Sequence, residues 1–178
     1  MVLLSPAAYP DDGGNRLLRT TTGIPVVSDL ALLLGRSIMG RRILKRVLTR
    51  AFYPQNVPDN YFNLASSSWL GRRKLKAYFD DESALRESLR EISKRYSEIT
   101  IPVVIVTGDS DKILSPKENA FRLQAAIRQS RLIELKDTGH EIPQTRPESI
   151  CAALTLISGS SANRSCCAPL AIVRSPHL

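Results

Sequence analysis

The sequence predicts an α/β fold with a parallel sheet. Three observations predict it: two short apolar runs that each end in a polar turn, a capped helix between them, and a second capped helix directly after the second run. The first run, residues 101–107, reads IPVVIVT, rich in β-branched residues, and ends at Gly108, Asp109 and Asp111. The second, residues 131–135, ends at Thr138, Gly139 and His140. Open α/β sheets build their sites beyond the carboxyl ends of parallel strands, and here two successive strand ends carry an acid and then an imidazole.

The helix between the runs announces its start three ways. Ser115 is the cap, Pro116 the first helical position, and Glu118 closes a capping box. Ala120, Leu123 and Ile127 then face the sheet. Thr145, Pro147 and Glu148 repeat the capping logic, and Ile150, Ala153, Leu154 and Ile157 form the stripe of the next helix. Upstream, residues 80–97 give the clearest amphipathic helix, with Leu85, Leu89, Ile92 and Tyr96 on one face. Glu82 with Arg86 and Glu91 with Arg95 are its i,i+4 ion pairs. Residues 30–52 are helical in pattern but weakened by Gly35 and Gly40, so they read as one helix or two. Residues 2–5 read as a buried strand stopped by Pro6, with the Ser5 hydroxyl satisfying backbone at its end.

Composition bounds the function. The chain has 178 residues, 43% hydrophobic and 24% charged, enough for one domain with a real core. Its three cysteines, two of them the adjacent Cys166 and Cys167, suggest no disulfide framework, and a reducing cytoplasm is the default compartment. No apolar run approaches the roughly 18 residues needed to span a bilayer. No glycine-rich phosphate loop and no zinc-ligand spacing occurs, so no cofactor and no metal is inferred. The net charge is +8, concentrated between Arg36 and Lys76. That cluster has three readings: a solvated face, a membrane-surface helix, or a nucleic-acid site. Nucleic acid is disfavoured because no aromatic stacking platform or groove-reading motif accompanies it.

The order acid then histidine on successive strand ends resembles the α/β-hydrolase family, whose triad runs nucleophile, acid, histidine. The resemblance covers residues 1–158 and is most specific between Pro102 and Pro147. It implies that Asp111, in the G-D-S-D turn, is the triad acid and that His140, in the G-H pair, is the base. Asp109 is then a turn-stabilising carboxylate, and His177, in the tail, has no role. The resemblance also implies a division of the chain: a first core strand over 1–10, a helical cap over 11–98 and the C-terminal part of the core over 99–158; residues 159–178, with small polar residues, a cysteine pair and two prolines but no periodicity, read as a disordered tail.

On this reading the fold is the C-terminal part of an α/β-hydrolase sheet, about three parallel strands with flanking helices plus a helical cap insertion, truncated N-terminally. The family's strand, G-x-S-x-G elbow and helix do not occur in the sequence. The nearest string, around Ser37, is one residue too long and lies in an arginine-rich helical pattern. Cys166 and Cys167 stand in the wrong place in the order to replace the serine.

The implied activity is hydrolysis of a small-molecule ester, amide, epoxide or C–C bond, with a serine or an aspartate as the nucleophile outside these residues. Two other readings stay open. One is a non-catalytic fragment that binds an anionic membrane surface or an acidic partner through its basic region. The other is complementation by a separately encoded N-terminal half.

Overall fold

The computed structural model describes residues 1–10, 38–70, 72–158 and 173–174. The chain divides into two compact units. One comprises residues 1–9, 50–56 and 91–178; the other comprises residues 10–49 and 57–90.

The first unit is built on a sheet in the order β1-β2-β3-β4. Strands β1 (Val2–Leu4), β2 (Val103–Gly108) and β3 (Ser130–Leu135) are parallel, with Val104 beside Val2 and Arg131. All six residues of β2 are buried, as a parallel strand covered on both faces requires. Its side chains alternate between two cores. Val103 and Ile105 join Leu132 under Ala120, Leu123, Ile127 and Tyr96. Val104 and Val106 join Ile133, Leu135, Ile142 and Ala153 on the other face. Each large aliphatic side chain withdrawn from water here contributes about 1.5–3 kcal/mol.

The first core is covered by a π-helical turn (Lys117–Phe121) running into a short α-helix, and by a 3₁₀ segment (Ser93–Glu98). Ser115 accepts the Glu118 N–H at 3.4 Å, the capping contact its sequence predicts. The buried Asn119 amide ties this cover to the chain after β1. Its Oδ1 accepts the N–H groups of Ala8 and Tyr9 at 3.0 and 3.3 Å, and its Nδ2 donates to the Ser115 carbonyl.

The second unit is helical. It takes most of α1 (Ile38–Phe52), all of α2 (Asp59–Trp69) and most of α3 (Arg72–Ile92). The remaining helices, in chain order, are α4 (Arg122–Ala126), α5 (Ile142–Thr145) and α6 (Pro147–Ser158), all in the first unit.

The elements depart from the sequence reading in several places. The amphipathic helix begins at Arg72, not near residue 80, and gives way at Ser93 to a 3₁₀ segment. Leu89 and Tyr96 are buried, but Leu85 and Ile92 are exposed. The tighter winding re-pairs the charges: Glu91 bonds Lys94 and Arg95 bonds Glu98, both at i,i+3. Thr145 does not cap α6; its hydroxyl donates back to the carbonyl of Glu141, the residue that flanks the start of α5. The buried face of α6 carries Ser149, Ala152 and Ala153, while Leu154 is exposed.

Within the segment expected as a disordered tail, Val173–Arg174 adds β4 antiparallel to β3. The Ser5 backbone has φ of 40°, and its buried hydroxyl finds no partner among the described residues. Its N–H instead continues the ladder to Val106. Ser37, Cys166, Cys167 and His177 lie outside the described residues.

The carboxyl ends of β2 and β3 meet at two glycines. A Cβ on Gly108 would stand 2.0 Å from the Thr138 carbonyl oxygen. A Cβ on Gly139 would stand 2.1 Å from the Tyr53 carbonyl oxygen and 2.8 Å from that of Ala51. Backbone lies on the far side of each contact, so neither can yield cheaply. Gly108→Ala and Gly139→Ala are each expected to destabilise by at least about 1–3 kcal/mol, read as a lower urea midpoint. Asn119→Ala, which strands two N–H groups, is expected to lose about 1–3 kcal/mol per group left unpaired, in the same measurement.

Candidate functional site

Asp111 and His140, 29 residues apart in sequence, come together beyond the ends of β2 and β3. His140 Nδ1 lies 2.8 Å from Asp111 Oδ2. The strand pairing causes this. Gly108 is in register with Leu135, so the turns that follow the two strands leave the sheet side by side.

Both oxygens of the Asp111 carboxylate are engaged by the fold. Its Oδ1 accepts the N–H groups of Ile113 and Leu114 at 2.7 and 2.9 Å, which leaves Oδ2 for the imidazole. The Asp111 side chain is 1% exposed and that of His140 26%. A buried carboxylate held by two backbone donors and one imidazole is a fixed acceptor. An ionised carboxylate accepts only, so it takes the Nδ1 proton and leaves Nε2 as the basic nitrogen of the ring.

The histidine turn is clamped from three directions. The His140 N–H donates to the Ala51 carbonyl at 2.9 Å, and the Glu141 N–H shares that oxygen at 3.2 Å. Gln55 Nε2 donates to the Asp137 carbonyl at 2.7 Å, holding a residue whose φ is 49°. Asp109 supplies the third clamp. Its Oδ1 accepts the Thr138 N–H at 3.4 Å, while the Ser110 N–H donates to the Thr138 carbonyl at 3.0 Å. Asp109 therefore stays off the imidazole and ties the two turns together. Thr138 is fully buried, and its Oγ1 accepts from Arg146 Nε.

The Ala51 carbonyl and Gln55 were not singled out in the sequence. A backbone acceptor leaves no residue signature, and Gln55 sits in a loop without pattern. Among the described residues, no group of three His, Cys, Asp or Glu side chains is placed to hold a metal ion. No described helix is long and apolar enough to cross a membrane.

Glu141 adjoins this pair. Burial pushes its carboxyl above the usual range, the positive charge of protonated His140 draws it back, and the Asp111 charge raises it further. A carboxyl whose folded pKa is raised stabilises the fold below its unfolded pKa, and that stability is lost as pH rises through the folded value. Glu141→Gln is therefore expected to raise the denaturation midpoint at pH 7, and the gain over the parent chain should vanish on acidification below the carboxylate range.

No family profile and no curated protein matches this chain in sequence. Solved structures do match it. An α/β-hydrolase fold protein from Burkholderia ambifaria superposes with a TM-score of 0.67 at 19% identity, over 86% of this chain and 54% of that one. The 2-hydroxy-6-oxo-6-phenylhexa-2,4-dienoate hydrolase of Rhodococcus sp. strain RHA1 gives 0.62 at 17% identity, over 89% and 54%. Haloalkane dehalogenase DbeA from Bradyrhizobium elkani gives 0.61 at 14% identity, over 89% and 56%. The chain thus spans about half the length of the structures it resembles. A parallel sheet with helices on both faces, and superposition on these proteins across most of its length, give the chain the α/β-hydrolase fold.

Proposed function

We propose that this chain carries the base and its orienting acid for a hydrolase acting on small molecules, with His140 as base and Asp111 as the acid. The observation that carries the reading is the 2.8 Å contact between His140 Nδ1 and a buried Asp111 carboxylate whose other oxygen is taken by two backbone N–H groups. A hydroxyl is a weak nucleophile at neutral pH until an imidazole accepts its proton. The carboxylate holds the ring in the competent tautomer and stabilises the imidazolium that forms. In branches that use an aspartate nucleophile, the same base activates the water that releases the covalent intermediate.

The nucleophile and the oxyanion donors are the parts these residues do not supply. No G-x-S-x-G occurs in the sequence. The N–H groups that hold the oxyanion belong to the elbow and to an early loop. They would come from a segment pairing along β1, whose outer edge carries no ladder partner among the described residues. Helices α1 to α3 would roof the substrate as a cap. The named neighbours support a small-molecule substrate, since they include a 2-hydroxy-6-oxo-6-phenylhexa-2,4-dienoate hydrolase, haloalkane dehalogenases and an esterase. The bond cleaved is therefore an ester, amide, epoxide, carbon–halogen or C–C bond.

Two assays test the proposal. The purified chain alone is expected to leave p-nitrophenyl acetate at the buffer rate; fast turnover would overturn the division of roles. Expressed together with its upstream coding sequence, the chain is expected to hydrolyse members of a p-nitrophenyl ester, epoxide and haloalkane panel. In that active form, Asp111→Asn should lower kcat by about 10⁴ and His140→Ala by about 10⁶. Activity indifferent to both substitutions would remove the site from the chemistry.

A further inference from the structure

Helix α1 carries a charge pattern that the hydrolytic reading does not use. Its fifteen residues, IMGRRILKRVLTRAF, include five basic side chains and no acid. Two of the five are engaged: Arg41 lies over the Phe62 ring at 5.6 Å, and Arg50 donates to the Lys112 carbonyl at 2.9 Å. Arg42, Lys45 and Arg46 are exposed and make no ion pair among the described residues.

The sequence pattern suggested that the helix sets its apolar residues against its arginines on opposite faces. The structure divides the apolar residues instead. Leu44 and Leu48 are buried, whereas Ile43 is 53% exposed and Val47 47%. At 100° per residue, Arg42 and Arg46 form one i,i+4 row and Ile43 and Val47 form the next, about 100° on; the arc between these two rows faces away from Leu44 and Leu48, while Lys45 lies on the opposite side of the helix from Ile43 and Val47. The outward face therefore presents cations and β-branched apolar side chains side by side.

We propose that this face of α1 docks on an anionic phospholipid surface. Arg42 and Arg46 meet the headgroup phosphates while Ile43 and Val47 enter the boundary between headgroups and acyl chains. Charge complementarity selects an anion, because fifteen residues without a carboxylate repel cations and offer neutral lipid little. The apolar row selects a lipid over a nucleic acid. A bilayer surface offers an apolar layer immediately beneath its phosphates, whereas a nucleic-acid backbone offers charge with nothing for Ile43 and Val47 to enter. Long arginine side chains also reach the phosphate level while their stems lie along the apolar row. The proposal is independent of the hydrolytic reading and would stand in its absence.

Flotation through a density gradient with large vesicles tests it, because aggregated protein sinks while bound protein rises. The full chain is expected to float with vesicles of phosphatidylcholine and phosphatidylglycerol and to stay behind with phosphatidylcholine alone. Arg42→Gln with Arg46→Gln should weaken binding roughly thirtyfold, taking about a fivefold contribution from each charge near the surface. Ile43→Ser with Val47→Ser should weaken it several-fold. All four positions are exposed, and unchanged circular dichroism verifies that the variants keep their helices. Failure of the parent chain to float with the anionic vesicles would overturn the proposal. So would full binding by the Ile43→Ser, Val47→Ser variant, since charge alone would then account for the attachment and any polyanion would serve.

Discussion

The parallel pairing of β2 with β3 is the constraint on which the rest of the first unit depends. It places Gly108 beside Leu135 and so starts two turns from neighbouring points at the same end of the sheet. Their backbones then pass so close that a Cβ on Gly108 would fall 2.0 Å from the Thr138 oxygen. Once the turns are locked at that distance, Asp111 and His140 have little freedom left. The hydrogen bond between them follows from the backbone, and needs no long side chain to reach across a gap.

Several contacts that look incidental serve this approach. Asp109 and Ser110 each bond Thr138, so the acid turn grips the histidine turn by backbone and side chain together. The Ala51 carbonyl accepts two consecutive N–H groups from the other side. Gln55 holds Asp137 in the left-handed conformation that lets the chain reverse after β3. A buried polar group left unpaired is expensive, and a network in which each member is satisfied specifies one geometry. Asp111 is the clearest case, since the three donors it meets fix both of its oxygens.

The helical unit follows a different logic. Its helices bury a narrow set of small and aliphatic residues, such as Gly40, Leu44 and Ala65, and expose Ile43, Val47, Leu64 and Trp69. Sheet-facing helices such as α6 are apolar enough for burial to set their orientation. The basic α1 buries Leu44, Leu48, Ala51 and Phe52, which leaves a cationic and apolar outer face available for a second phase.

The sequence by itself determined the α/β class, the parallel strands, the Ser115 contact beside the helix start and the two strand-end turns that carry Asp111 and His140. These are local signals: β-branched runs, a capping triplet, and polar residues at fixed offsets from strand ends. The resemblance favoured Asp111 over Asp109, and in the structure it is the Asp111 carboxylate that meets the imidazole. Tertiary structure decided what depends on distant partners. Leu85 and Ile92 have the right periodicity for burial but meet solvent, because periodicity defines a face and only a distant packing partner covers it. Thr145 has a cap's position but bonds backward to the Glu141 carbonyl. Val173 and Arg174 have no strand signature, yet the edge of β3 supplies the hydrogen bonds that make them one. The clamp by Ala51 could not be read at all, because a backbone carbonyl is the same in every residue and only folding gives it an address.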